Sequence, residues 1–263
     1  MIPKIIHYCW FGGGQKDAKT LECIASWKKH LPDYELKEWS EKDLGLTNNQ
    51  YAKEAYQAKK WAFVSDYFRL YALYHEGGIY LDTDVEVKKS FNDFLDLNFF
   101  IGSEQHGSSK HTGTAVIGAE KSSPLIQKFL SVYDNIHFIK KNGTFDITPN
   151  PVRLAKPLKE IGFKALYSED TPIYLDEKTV IFPVGWLSKE TVDSYAVHHF
   201  AGSWHDAAVL KNKWNLEFLG KKISVYRYKI RRKDEFKYPQ SKNNILLDWD
   251  YQKKHKLLIV KGE

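Results

Sequence analysis

The stretch SDYFRLYALYHEGGIYLDTDVEV, residues 65–87, decides the fold. With Phe63 just before it, Tyr67, Leu70 and Tyr74 recur at helical spacing, and Gly77-Gly78 supplies a stop. Ile79-Tyr80-Leu81 is then an apolar run of strand length that ends in Asp82 and Asp84. Helix, glycine turn and strand in that order predict an α/β layer. In an extended chain, residues two apart point the same way. Two carboxylates about 4 Å apart repel by roughly 4 kcal/mol at an effective dielectric of 20. Either water surrounds this strand end, or something positive sits between the pair.

Working outward, Lys4 to Phe11 reads as a buried strand that closes on Gly12-Gly13-Gly14. Asp17 caps a helix running to His30, with Leu21, Ile24 and Trp27 on one face. Tyr34 to Trp39 is a second strand, and Ser40 caps a short helix. Strand, helix, strand favours parallel pairing. Further short strands are expected at Phe99–Gly102, Thr114–Gly118, Phe163–Tyr167, Pro172–Leu175 and Thr179–Phe182, and helices at Pro124–Ile139 and Asn150–Ile161. The expected organisation is one large domain over 1–205 and a basic helical extension, 206–263, packed on it, with Leu210, Trp214 and Phe218 on the helix's apolar face.

Composition narrows the function classes. At 263 residues the chain can bury a substantial core. Its 2 cysteines, Cys9 and Cys23, exclude a disulfide scaffold and favour a reducing compartment. No apolar run is long enough to span a bilayer, and MIPKIIHYCWFGGG reads as a first strand, not a leader. The expected location is cytoplasmic. The net charge of +6 is unevenly spread. Nine Lys or Arg against Glu217 alone give residues 211–233 a charge of +8 and leave the rest near −2. That segment suits an anionic membrane surface, which would place the protein on the inner face of the cytoplasmic membrane.

Several residues invite chemistry. Asp82 and Asp84, at the carboxyl end of a strand, suit Mg²⁺ or Mn²⁺ shared with phosphate oxygens. Asp66 and Arg69 are three apart on one helical face, amid Phe63, Val64, Tyr67 and Phe68. Gly77-Gly78 brings Asp66 and Asp82 to one region. Trp10, at the end of the first strand, offers a ring to a base. His198 or His199 could give an imidazole to a metal, and spacing does not choose between them. Glu104, His106 and His111 lie near the expected acceptor side by position alone.

Taken together, IPKIIHYCWFGG, SDYFRLYALYHEGGIYLDTDVEV and HHFAGSW resemble glycosyltransferase family 32, the sugar transferases with a DXD sugar-binding region, and more distantly the glucosylating toxin domains. The resemblance implies a GT-A fold, a single Rossmann-like nucleotide-binding domain with a mixed central sheet flanked by helices. It implies a nucleotide-sugar donor, a divalent cation (Mn²⁺ or Mg²⁺) and a glycan or lipid-linked oligosaccharide acceptor, as in capsule and surface polysaccharide synthesis. Carried over by residue, Cys9 and Trp10 would hold the base, and Asp66 and Arg69 ribose or sugar hydroxyls. Tyr80 would flank the nucleotide. Asp82 would meet ribose or metal, Asp84 would bind metal directly, His199 would be a further ligand and Trp204 would touch the diphosphate. Thr114 stands where relatives often carry Asn, which bears on its contact with the sugar.

The expected reaction is metal-dependent hexosyl transfer with retention, UDP-sugar being the favoured donor, and no residue stands out as a covalent nucleophile. Two other readings compete. An aspartyl phosphatase would use Asp82 as nucleophile, but Glu86 stands where that motif has Thr or Val. A basic membrane or nucleic-acid binding module would use 211–233 but leaves Asp66 and Asp82 unexplained; nucleic acid is not an expected partner.

Overall fold

In the computed structural model the deciding stretch forms a helix, Trp61–Glu76, and a strand, Gly78–Leu81. The structure describes residues 1–106, 109–163, 171–201, 208–218, 221–230, 245–252 and 255–261. The chain divides into two compact units, Met1–Ala201 and Gly202–Glu263.

In the first unit the elements run β1 (Ile5–Cys9), α1 (Ala18–His30), β2 (Glu35–Trp39), α2 (Gln50–Gln57), α3 (Trp61–Glu76), β3 (Gly78–Leu81), β4 (Val85–Val87), β5 (Phe99–His106), β6 (Ser109–Ala119), α4 (Pro124–Ser131), α5 (Asn150–Glu160), β7 (Ile173–Asp176), β8 (Thr179–Phe182), α6 (Val184–Leu187) and β9 (Ala196–His198). Among the described residues, seven strands form one mixed sheet in the order β2-β1-β3-β6-β5-β8-β7. β1 is parallel to β2 and β3, and β5 to β8; the other pairs are antiparallel. This is the expected α/β architecture, a mixed sheet with helices against it.

Strand alternation divides the core in two. Cys9, Tyr80, Ile101 and Ile117 pack with Phe63, Val64, Phe68 and Leu73 of α3. Ile6, Tyr8, Ile79, Leu81, Phe100 and Val116 pack on the opposite face with Cys23, Ile24 and Trp27 of α1. Leu21 is exposed, so the apolar stripe of α1 is narrower than its sequence suggests. α3 is buried along most of its length because it lies between the sheet and the α2, α4 and α5 side chains of the same core.

The α3–β3 turn needs both glycines. Gly77 and Gly78 have φ of 68° and 111°. A Cβ on Gly77 would fall 2.6 Å from the Lys121 amide nitrogen, and one on Gly78 2.7 Å from the Ile5 carbonyl. His7 ties the turn down. Its Nε2 donates to the Gly77 carbonyl at 2.7 Å, and its Nδ1 accepts from Trp39 Nε1 at 3.1 Å. Helix α4 is shorter than expected and ends at Ser131. Most of the expected Phe163–Tyr167 strand lies outside the described residues.

The second unit corrects the expected helical extension. Its described elements are strands, β10 (Ala208–Phe218), β11 (Lys221–Ile230), β12 (Ile245–Gln252) and β13 (His255–Lys261), in an antiparallel sheet of order β10-β11-β13-β12. The spacing of four between Leu210, Trp214 and Phe218 is even, so it fits a strand as well as a helix. The Ile, Val and Tyr content of Ile223-Ser-Val-Tyr-Arg-Tyr-Lys-Ile230 then decides for β structure. Tyr226, Leu258 and Val260 form its small core, and the buried Lys256 pairs with Asp248.

Candidate active site

The carboxyl end of β3 gathers side chains from α3, β3, β6 and the turn into β4. Arg69 is at the centre. Its Nη2 donates to Asp66 Oδ1 at 2.8 Å, and its Nη1 stands 3.2 Å and 3.3 Å from the two oxygens of Asp82. Nη1 also donates to the Thr114 carbonyl at 2.6 Å. A break in the β5–β6 register frees that region: Ile101 faces Ile117 but Ser103 faces Thr112, so residues 113–116 bulge from β6 opposite Gly102. The Tyr80 ring lies 4.7 Å under the guanidinium carbon, and its hydroxyl donates to Asp82 Oδ1 at 2.9 Å. Only 5% of the Arg69 side chain is exposed, against 26% for Asp82. Arg69 is therefore a buried clamp, and Asp82 is the member that reaches the surface.

Asp84 belongs to a second group. β4 pairs with β9 so that Val85 faces His198. That register carries His198 Nε2 to 3.3 Å from Asp84 Oδ1. The Ala201 amide donates to Asp84 Oδ2 at 2.7 Å. On the far side of the ring, His198 Nδ1 lies 3.0 Å from Glu104 Oε1. Phe200 covers the imidazole with ring centroids 4.0 Å apart.

The charges of these groups follow from burial and partners. Burial pushes the Asp66 carboxyl up to about 6, against the pull of Arg69. Burial also raises Asp82, with Arg69 opposing and Asp84 reinforcing. For Asp84 burial acts upward too, but the hydrogen bonds from His198 and Ala201 win and hold it below the usual range. Burial disfavours a charged His198, yet its hydrogen bonds to Asp84 and Glu104 raise it to about 10. Arg69 beside Asp82 and the proton on His198 beside Asp84 thus supply the positive charge that the carboxylate pair requires.

One ligand atom each from Asp82, Asp84 and His198 lie within 4.8 Å of one another. Two carboxylate oxygens and one imidazole nitrogen, partly open to solvent, are a donor set that fits a divalent cation. The cation would replace the His198 proton. His199 points elsewhere. Its Nε2 is 3.1 Å from Glu86 Oε2, because successive side chains at the end of β9 face opposite ways. Of the two histidines, His198 is the one that stands with Asp82 and Asp84, while His199 stands with Glu86.

Other expected residues sort by exposure. Trp10 is partly exposed beyond β1, with Nε1 donating to the Gly14 carbonyl at 2.7 Å and Lys16 Nζ 5.2 Å above its ring. The Cys9 thiol is buried against α3 and pushed up to about 12 by that burial, and Tyr80 is 1% exposed. Neither side chain offers a surface to a nucleotide. Alternation places both on the face that α3 covers, so Tyr80 holds Asp82 instead of flanking a ligand. Thr114 is buried, with its carbonyl on Arg69. Glu104, expected near the acceptor, bonds to His198. Trp204 and the side chain of His106 lie outside the described residues.

Two participants carried no sequence signal strong enough to find them. Asn150, 1% exposed, donates from Nδ2 to the Asp66 carbonyl at 3.1 Å and accepts from Tyr133. Arg153 stacks between Tyr51 and Tyr133, 5.0 Å and 5.2 Å from their ring centres, and pairs with Asp146 at 3.0 Å. Both reach Asp66 from 84 or more residues away, which only the fold reveals. An open pocket of about 350 Å³ adjoins His198 and Phe200 and is also lined by Gln105, Ser188 and Lys189.

Residues 17–101 match the family described as "Glycosyltransferase sugar-binding region containing DXD motif". Over 115 residues the chain is 30% identical to "Glucan organizing enzyme 1" of Cryptococcus neoformans, covering 40% of this chain and 31% of that one. Over 162 residues it is 28% identical to an uncharacterized glycosyltransferase of Acanthamoeba polyphaga mimivirus, covering 56% and 60%. The solved structure of "PaToxG Glycosyltransferase" overlaps 60% of this chain and 69% of its own, with a TM-score of 0.46 and 23% identity. The chain spans less than two thirds of the length of these curated relatives. The matched region contains Asp66, Arg69, Tyr80, Asp82 and Asp84. The resemblance read from the sequence stands: residues 17–101 match the sugar-binding region of the DXD glycosyltransferases.

Proposed function

We propose that a chain carrying this region transfers a hexosyl group from a nucleoside diphosphate sugar, UDP-sugar in first place, to a glycan hydroxyl. The domain is read as GT-A type. The observation that carries the proposal is the convergence of Asp82, Asp84 and His198 within 4.8 Å, beside a buried Arg69 clamp. These three would hold Mn²⁺ or Mg²⁺. When bound, the cation supplies charge neutralisation to the departing diphosphate.

The remaining chemistry belongs to the chain. Arg69 and Tyr80 fix both oxygens of Asp82, so the carboxylate is set before the donor arrives. Asp66, next to that clamp, would accept donor hydroxyls. Trp10, partly exposed at the end of β1, would stack on the base. Transfer passes through an oxocarbenium-like sugar, and same-face attack with the leaving phosphate oxygen taking the acceptor proton accounts for retention without a protein nucleophile. The pocket beside His198 and Phe200 gives the acceptor an approach. An aspartyl nucleophile is disfavoured, since Glu86 stands where that motif has Thr or Val.

The finer setting is bacterial surface polysaccharide synthesis on a lipid-linked acceptor, with residues 211–233 attracted to an anionic membrane. Its support is the charge of +8 on that segment, now carried largely by β10 and β11. No helix among the described residues is long and apolar enough to cross a membrane. The testing experiment is release of free nucleotide from a panel of UDP- and GDP-sugars, with Mn²⁺ and with chelator. Metal-dependent release from one donor, absent in Asp84→Ala, supports the proposal. No release and no transfer with any donor by a folded protein contradicts it.

A further inference from the structure

Resting on the metal reading above, we infer that Glu104 is a positioning residue for the cation site, and that Gly113 is glycine so that Glu104 can stand there. Glu104 touches none of the reacting groups. It is buried on β5 with Oε1 3.0 Å from His198 Nδ1, while Nε2 of the same ring faces Asp84 at 3.3 Å. An imidazole offers a metal one nitrogen at a time, and the partner of the other nitrogen decides which. A carboxylate on Nδ1 keeps that atom protonated, leaves the Nε2 lone pair for the cation and stops the ring from turning. The His198 backbone is fixed as well, its amide donating to the Ser188 carbonyl at 2.9 Å.

Gly113 provides an independent sign that the carboxylate's place is built in. It is the first residue of the β6 bulge. A Cβ there would overlap Cγ, Cδ and Oε1 of Glu104, the last at 2.5 Å. Its backbone has no positive φ that would require glycine. The missing side chain is therefore explained by the space Glu104 takes. A buried ion pair kept only for stability would be a weak device, since desolvation offsets most of its attraction. Aligning the ring toward Asp82 and Asp84 gives the pair a purpose.

The test measures Mn²⁺ affinity of the full chain from the electron paramagnetic resonance signal of free Mn²⁺, with thermal unfolding recorded for each variant. Glu104→Leu should weaken binding by about 10- to 100-fold, the usual loss when a ligand's outer partner is removed. Glu104→Gln keeps an acceptor oxygen at the same reach and should retain most of the affinity. Gly113→Ala touches no metal ligand, yet should weaken binding as Glu104→Leu does, and combining the two should add nothing further. The ¹⁵N spectrum of the Cd²⁺-loaded wild type should show His198 metal-bound at Nε2 and protonated at Nδ1. Unchanged Mn²⁺ affinity in a folded Glu104→Leu variant overturns the inference and leaves the metal site standing. A bare Nδ1 in the Cd²⁺ complex overturns it even if the Leu variant fails to fold. Absence of Mn²⁺ binding by the wild type sinks the metal reading, and this inference with it.

Discussion

Arg69 Nη1 lies 3.2 Å from Asp82 while its Nη2 holds Asp66 at 2.8 Å, and only 5% of the side chain is exposed. One cation thus organises two carboxylates delivered by different elements, α3 and the end of β3. Removing it leaves buried like charges without a partner. Arg69→Ala should cost about 3–5 kcal/mol of stability by urea unfolding. Arg69→Lys keeps the charge but not the planar fork, so it should fold and still lose most donor binding. A Lys variant with wild-type donor affinity would contradict the clamp.

The two adjacent histidines should separate cleanly. His198 faces Asp84, and His199 faces Glu86. His198→Gln should abolish the stabilisation that Mn²⁺ gives in a thermal-shift assay. His199→Gln should leave it within experimental error. The reverse result would mean that β9 is paired one residue out of register.

Stability should depend on pH through His7, which lies on β1 beside Tyr80 of β3. Burial lowers its pKa below 6.5 despite the Gly77 carbonyl. The unfolded chain then binds the proton more readily than the folded one, so the contribution is full above 6.5 and is lost as pH falls. Asp66 acts oppositely. Its folded pKa of about 6 exceeds 3.8, so its contribution is full below 3.8 and is lost as pH rises through about 6. The wild-type curve is therefore flattened, and a variant exposes each part. His7→Gln should destabilise most at pH 7.5 and progressively less toward pH 5.5, read as the difference in melting temperature. A difference that is constant over this range would show that His7 is not buried neutral.

The turn between α3 and β3 should tolerate no side chain. Gly77→Ala combines a φ of 68° with a close approach to the Lys121 amide. Its destabilisation should exceed in size the roughly 1 kcal/mol by which Gly→Ala at an unstrained site would stabilise, and unfolding in urea would reveal it.

Much of this was legible in the sequence because local signals agreed. Gly77-Gly78 ended the helix, Ile79 to Leu81 had strand length, and Asp66, Arg69, Asp82 and Asp84 stood in one short stretch. What the sequence concealed came from long range or from ambiguous periods. Glu104 and His198 meet across 94 residues, through the pairing of β4 with β9. Tyr80 and Cys9 fall on the covered face of the sheet, and only the placement of α3 says which face that is. The spacing of Leu210, Trp214 and Phe218 suited both helix and strand, and the even period concealed a β-sheet.

The most direct measurement is calorimetric titration of UDP into the protein with Mn²⁺, comparing wild type with Asp84→Asn. This change keeps the size of the side chain and its contact with the Ala201 amide, but removes the charge that a cation needs. The account predicts Mn²⁺-dependent UDP binding by the wild type and at least a tenfold loss in the variant, about 1.4 kcal/mol. Equal UDP affinity in the two proteins, or affinity indifferent to Mn²⁺, would contradict the claim that Asp82, Asp84 and His198 hold a cation for a nucleoside diphosphate.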